Sequence, residues 1–254
     1  MVCYDEILTR KPTPVSFTFL DFEGTKMNFR EFTKIPRLRR ECVVTEKIDG
    51  TNASIFIEQR AALQYEDIDN PSMPWLSKDT NGCVVAVGSR TRWILPGKTD
   101  NYGFAGWVHA HLEELVTKLG PGHHFGEWWG SGCQRAYGLA KGEKRFSLFN
   151  TSRWTSEFNN IDLQKWSEED RTKSTRCIEI PCCYVTPVLA RGVFSTVTVE
   201  DILFALALNG SYAAPGFMKP EGVVVYHTAS EQYFKQTIVA DETPKNAKIG
   251  GCVE

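Results

Sequence analysis

Apolar and polar residues alternate with a period of two through Asn52-Ala53-Ser54-Ile55-Phe56-Ile57-Glu58, the pattern of a half-buried strand. The apolar run Cys42-Val43-Val44 lies just ahead, and Asp49-Gly50 between two such runs predicts a tight hairpin turn. That turn would hold Lys47 at a strand end with Asp49 beside it. Val84-Val85-Ala86-Val87-Gly88 reads as a further strand that delivers Ser89-Arg90-Thr91-Arg92, and residues 144–150 alternate in the same way. Residues 220–226 and 232–237 are β-branched, strand-like runs. Two stretches carry the helical period instead. Val108, Leu112, Leu115, Val116 and Leu119 share one face, Glu114 and Lys118 lie four apart, and Gly120-Pro121-Gly122 stops the run. Thr198-Val199-Glu200-Asp201 opens a second helix with the look of a capping box; it buries Ile202, Leu203 and Leu206 and ends at Asn209-Gly210. Residues 60–81, with Pro71 and Pro74, read as a loop or insertion, and residues 151–176 as a polar insertion or a loosely packed helix pair.

Composition narrows the class. A chain of 254 residues, 42% hydrophobic and 24% charged, can bury a real core as one large domain, or as one domain with a small appendage. The formal net charge of −2, from 29 basic and 31 acidic side chains, does not announce nucleic-acid binding, so any basic face must be local. One such cluster is Lys34-Ile35-Pro36-Arg37-Leu38-Arg39-Arg40. It reads either as a solvated turn or as a phosphate contact reaching the same cleft as Lys47. The eight cysteines form no CxxC pair, and His109 and His111 face apart on a helix, which argues against zinc. No signal peptide and no bilayer-spanning run is present, so free thiols in a reducing cytoplasm are expected.

Several residues carry candidate chemistry. Lys47 is either a covalent nucleophile, if its surroundings favour the neutral amine, or a solvated lysine beside an ordinary turn. Arg90 and Arg92 form either a phosphate clamp or a pair of exposed edge charges. In His123-His124-Phe125-Gly126-Glu127-Trp128-Trp129-Gly130, small residues flank one carboxylate, so a ligand could come close and Glu127 could accept from a ribose hydroxyl. Trp128 and Trp129 read as core or cleft wall. Phe149 ends its strand and is either core or a surface on which a purine stacks.

Lys47-Ile48-Asp49-Gly50 resembles the nucleophile motif of the covalent nucleotidyltransferases, namely DNA ligases, RNA ligases and mRNA capping enzymes. Extended to Glu46–Asn52, it is most similar to the RNA ligase 2 family. Further segments of that family's pattern follow in order: Ser89-Arg90-Thr91 with Ile94-Leu95-Pro96; Phe125-Gly126-Glu127 with Gly132-Cys133-Gln134; Phe149; Glu221-Gly222; and Lys235. The resemblance spans about residues 35–240. It implies an α+β adenylyltransferase domain (ATP-grasp-like), with two mostly antiparallel sheets and flanking helices around a nucleotide cleft. It also implies ATP as cofactor, AMP carried covalently on Lys47, and Mg²⁺ or Mn²⁺. By the same resemblance Lys47, Asp49, Arg90 and Lys235 are the catalytic residues. Glu46, Asn52, Glu127, Phe149 and Glu221 join Lys47, Arg90 and Lys235 in binding the nucleotide, and Glu221 and Asp49 place the metal. The expected substrate is RNA, or an RNA-containing nicked duplex, with 5′-phosphate and 3′-hydroxyl ends. A cytoplasmic monomer is expected, and a phage-encoded one is among the readings. Residues 1–254 are expected to form a single domain; only 19 residues (236–254) follow Lys235, too few for a C-terminal OB or helical domain. Two departures stand out: Asn150 where the family carries Asp, and Thr237 where it carries a second phosphate-binding lysine. Lys245 or Lys248 is the candidate substitute. A minimal DNA ligase, a capping-type enzyme and a non-catalytic RNA-binding module are the alternatives.

Overall fold

The computed structural model describes residues 34–239 apart from 71, 161–166 and 195, together with 19, 20, 26, 27 and 32. The chain divides into two units, Met1–Pro36 and Arg37–Glu254. In the first, β1 (Phe19–Leu20) pairs antiparallel with β2 (Lys26–Met27). The second holds the candidate residues.

The two alternating runs around Lys47 are strands, β3 (Glu41–Lys47) and β4 (Thr51–Gln59), but they do not form a hairpin. They belong to different sheets. β4 lies in a seven-stranded sheet with β5 (Trp75–Thr80), β6 (Cys83–Ser89), β7 (Trp93–Ile94), β8 (Gly122–Gly130), β9 (Lys144–Leu148) and β10 (Tyr184–Val185). Its order is β10-β9-β8-β4-β6-β5, with β7 added to β6, and every pairing is antiparallel except β10 with β9. β3 lies in a four-stranded antiparallel sheet with β11 (Val188–Val193), β12 (Gly222–His227) and β13 (Gln232–Thr237), in the order β11-β3-β12-β13. Asp49-Gly50 is therefore a crossover between sheets. A local turn signal cannot say which partners the second run will find, and here β4 pairs with β6 and β8.

Alternation sets one face of each sheet against helices. Ala53, Ile55 and Ile57 of β4 pack with Val85 and Val87 of β6 against α2 (Phe104–Ala110) and α3 (Leu112–Leu119), through Val108, Leu115 and Leu119. Cys42, Val44, Val223 and Val225 of the smaller sheet cover Leu206 of α4 (Val199–Asn209). Each valine, leucine or isoleucine among these, fully buried, contributes about 1.5–3 kcal/mol. A third cluster of Ile48, Trp129, Tyr137, Ala213 and Ala214 sits at the crossover and fixes the chain where it changes sheet.

Several expectations change. Within residues 60–81 stand a short helix, α1 (Tyr65–Asp69), and the strand β5, which is polar because it lies at the sheet's edge. The helical run around 108–119 breaks at His111 into α2 and α3, and Thr198 makes no side-chain cap to α4. The described part of 151–176 forms turns and two 3₁₀ segments, Phe158–Asn160 and Glu168–Thr172, not a helix pair. The basic residues 37–40 enter β3 at the end opposite Lys47, about 20 Å away along the strand, so nearness in sequence does not bring them to it. Among the described residues, no helix is long and apolar enough to cross a membrane.

Candidate active site

Lys47 is the last residue of β3, and its row across the smaller sheet continues through Gly222 to Thr237. Residues directly opposite share a face. Lys47, Thr45, Thr237 and Lys235 therefore stand on one side of the sheet, with Lys235 in the adjacent row, about 7 Å along the strand. Lys47 Nζ donates to Glu221 Oε2 at 2.5 Å, and Glu221 is only 2% exposed.

The crossover brings this lysine to the larger sheet. Gly50 N–H donates to Glu127 Oε1 at 3.1 Å, and Asn52 Nδ2 donates to Oε2 of the same carboxylate at 3.2 Å. Gly50 must be glycine because a Cβ there would sit 2.5 Å from the Trp128 carbonyl oxygen and 2.7 Å from Trp129 Cβ. Asp49 is held from two sides. Its N–H donates to Tyr137 Oη at 2.8 Å, and Arg135 Nε donates to its Oδ2 at 2.8 Å. Arg135 Nη1 also donates to the carbonyls of Lys219 (2.8 Å) and Pro220 (3.1 Å), just before Glu221. One guanidinium thus joins the crossover to the approach to β12. Arg135 lies in a strained turn, since Gln134, Ala136 and Tyr137 all have left-handed φ angles of 41°, 58° and 53°.

Charge is concentrated here. Burial pushes the Glu127 carboxyl up to about 7; the Lys47 charge and the Gly50 N–H oppose the rise, and Glu221 and Asp49 reinforce it. Phe149 follows β9 on the same face as Glu127, because Glu127 pairs with Ser147; the residue is 39% exposed. Arg90 is exposed in the turn between β6 and β7, with no side-chain partner among the described residues.

Other expected residues are placed elsewhere. Glu46 points to the opposite face of β3 from Lys47. Its carboxylate accepts from Ser211 Oγ at 2.5 Å and from the N–H groups of Tyr212 (2.8 Å) and Ala213 (3.0 Å), so its side chain does not join the Lys47 cluster. The Asn150 side chain accepts from the N–H groups of Ser152 and Arg153, an Asx turn. Lys245 and Lys248 lie outside the described residues. Sequence reading missed Arg135 and Tyr137. The only clue was that a motif carboxylate so close to Lys47 calls for a cation, and nothing in the spacing chose Arg135.

Solved structures similar to this chain include variants of Naegleria gruberi RNA ligase. One, with ATP and Mn, is 17% identical over 77% of this chain and 48% of that chain, with a TM-score of 0.43. A second, with AMP and Mn, is 16% identical over 79% and 50%, at 0.44. A third, with ATP and Mn, is 18% identical over 80% and 51%, at 0.46. This chain thus spans about half the length of those proteins. No curated protein sequence matches it. A family model described as RNA ligase matches residues 40–239, the span that holds Lys47, Glu127, Glu221 and Lys235, and the chain belongs to the RNA ligase family.

Proposed function

We propose that this chain is an ATP-dependent RNA ligase working through a lysyl-AMP intermediate on Lys47. The observation that supports it most directly is Lys47 Nζ paired with a buried Glu221 at the point where two sheets meet, with Glu127 and Asp49 beside it. Lys47 Nζ, deprotonated, attacks the α-phosphorus of ATP; an N–P bond forms and the bond to pyrophosphate breaks. The 5′-phosphate oxygen of an RNA end then attacks the adenylate phosphorus and releases lysine, which regains its proton. A 3′-hydroxyl finally attacks the activated 5′-phosphate, loses its proton and expels AMP. Glu127 and Asn52 orient the ribose, Phe149 carries the adenine, and Arg90 and Lys235 neutralise phosphate charge.

Among the described residues no group of three or more His, Cys, Asp and Glu side chains gathers for a metal. The oxygen donors near Lys47 nonetheless suit Mg²⁺ or Mn²⁺, since Mg²⁺ binds through one or two carboxylates plus substrate phosphates. Glu221 and Asp49 would hold it, and it would supply charge neutralisation at the phosphates. Intact-mass spectrometry after incubation with ATP and Mg²⁺ tests the reading. Wild-type protein gains one adenylate that pyrophosphate removes, and a folded Lys47→Ala protein gains none. An adduct on Lys47→Ala, or none on folded wild-type protein, sinks it.

A further inference from the structure

The larger sheet carries a second exposed feature on the face of Glu127 and Asn52. Pairing places Ser54, Gly88 and Phe125 in the next row, and Phe56, Ala86 and His123 in the one beyond, about 7 and 14 Å from Asn52. Trp93 of β7 pairs with Gly88 and lies across that bare position. A Cβ on Gly88 would sit 2.7 Å from Ser54 Oγ and 3.4 Å from the Trp93 ring. With glycine there, Trp93 runs nearly parallel to His123, centroids 5.8 Å and planes 26° apart. Phe56 adjoins both rings and stacks toward Trp75 at 6.4 Å, while His123 meets Phe125 at 4.1 Å. Trp93 and Phe125 remain 39% and 53% exposed. Burial holds the His123 imidazole pKa below its usual value, so near neutral pH this ring is an uncharged aromatic face.

A ledge of exposed rings on one sheet face marks an interaction surface. Its charge is polar: Arg90 and Arg92 stand exposed in the turn leading into Trp93, and Glu58 lies beyond Phe56. Flat rings beside guanidinium groups match the alternation of base and phosphate in a single strand. We propose that this ledge stacks bases of the RNA strand whose end is joined at Lys47, with Arg92 on its backbone; this deepens, and rests on, the ligase reading above.

The test is fluorescence anisotropy with a short single-stranded RNA carrying a 5′-phosphate, alongside the adenylation rate by intact mass. Trp93→Ala and His123→Ala each weaken RNA binding about fivefold to a hundredfold, the range for one lost base stack, while adenylation stays within about twofold. Trp93→Phe restores most of the affinity. Unchanged affinity in both folded alanine variants, or no RNA binding by wild-type protein, overturns the proposal. Unchanged affinity with lost self-association would assign the ledge to a protein contact and overturn it too. RNA affinity is read without ATP, so a wild-type protein that binds RNA through Trp93 but forms no adduct counts against the Lys47 chemistry alone.

Discussion

Glu46 and Glu127 stand on two sides of one structure and invite comparison. Both are buried, and burial pushes both carboxyls up to about 7. Glu46 faces the interior behind β3 and satisfies the turn after α4, where Ser211, Tyr212 and Ala213 donate to it. Glu127 receives Gly50 and Asn52, the two residues that flank Thr51 where the chain enters β4, and feels the charge of Lys47. Raised proton affinity is common to a structural carboxylate and a site carboxylate. What separates them is the partner: Glu46 accepts from Ser211 and the backbone after α4, and Glu127 accepts from the crossover that follows Lys47.

Glutamine at each position breaks that comparison apart. In Glu127→Gln, one oxygen that accepts from Gly50 or Asn52 becomes an NH₂ set against a donor. Loss of a hydrogen bond to a charged group contributes about 1.5–3 kcal/mol, so adenylation falls about tenfold to a hundredfold. Glu46→Gln leaves adenylation within about threefold but weakens the fold by about 1–3 kcal/mol, seen as a Tm lower by about 2–10 °C. Their pH behaviour should coincide. Each carboxyl binds its proton more tightly folded than unfolded, so between the ordinary 4.5 and about 7 the folded state holds more protons and stability falls as pH rises. By linkage this amounts to up to about 3 kcal/mol apiece. Either glutamine variant flattens the fall in denaturation midpoint across that window, and one of them alone loses adenylation. If Glu46→Gln lost adenylation as fully as Glu127→Gln, the front-and-back division would fail.

Arg135 tests the front of the sheet from its supporting side. It touches Asp49 and the carbonyls before Glu221, so the role expected of it is positioning. Arg135→Ala should slow adduct formation at saturating ATP about tenfold, with little change in the ATP concentration needed for half-saturation. Added guanidinium should restore part of the rate. A purely structural Arg135 would lower Tm and leave the per-molecule rate and its rescue untouched.

The contrast also explains what the sequence made legible. Short local patterns surround Lys47, Glu127 and Glu221, and the structure gathers these three. Glu46 lies within the same pattern, although period-two alternation turns it to the other face once β3 is a strand. The Asp49-Gly50 signal predicts a hairpin where the chain makes a crossover, because strand pairing is non-local. Residues 75–80 were hidden because an edge strand tolerates polar residues. Arg135 sits in an irregular turn, where no periodicity exists to read.

Asn150 belongs on the structural side of this division, and the smallest effect is expected there. Its Oδ1 accepts from Ser152 N–H at 3.2 Å and Arg153 N–H at 3.1 Å, bonds that an aspartate oxygen makes equally well. Asn150→Asp should therefore shift stability by no more than about 0.5 kcal/mol, within the spread of neutral surface changes. It should also leave adenylation within about twofold. An aspartate that raised the adenylation rate several-fold at unchanged Tm would move position 150 to the front of the comparison. The side chain after Phe149 would then act on the nucleotide, and the Asx turn would be incidental to it.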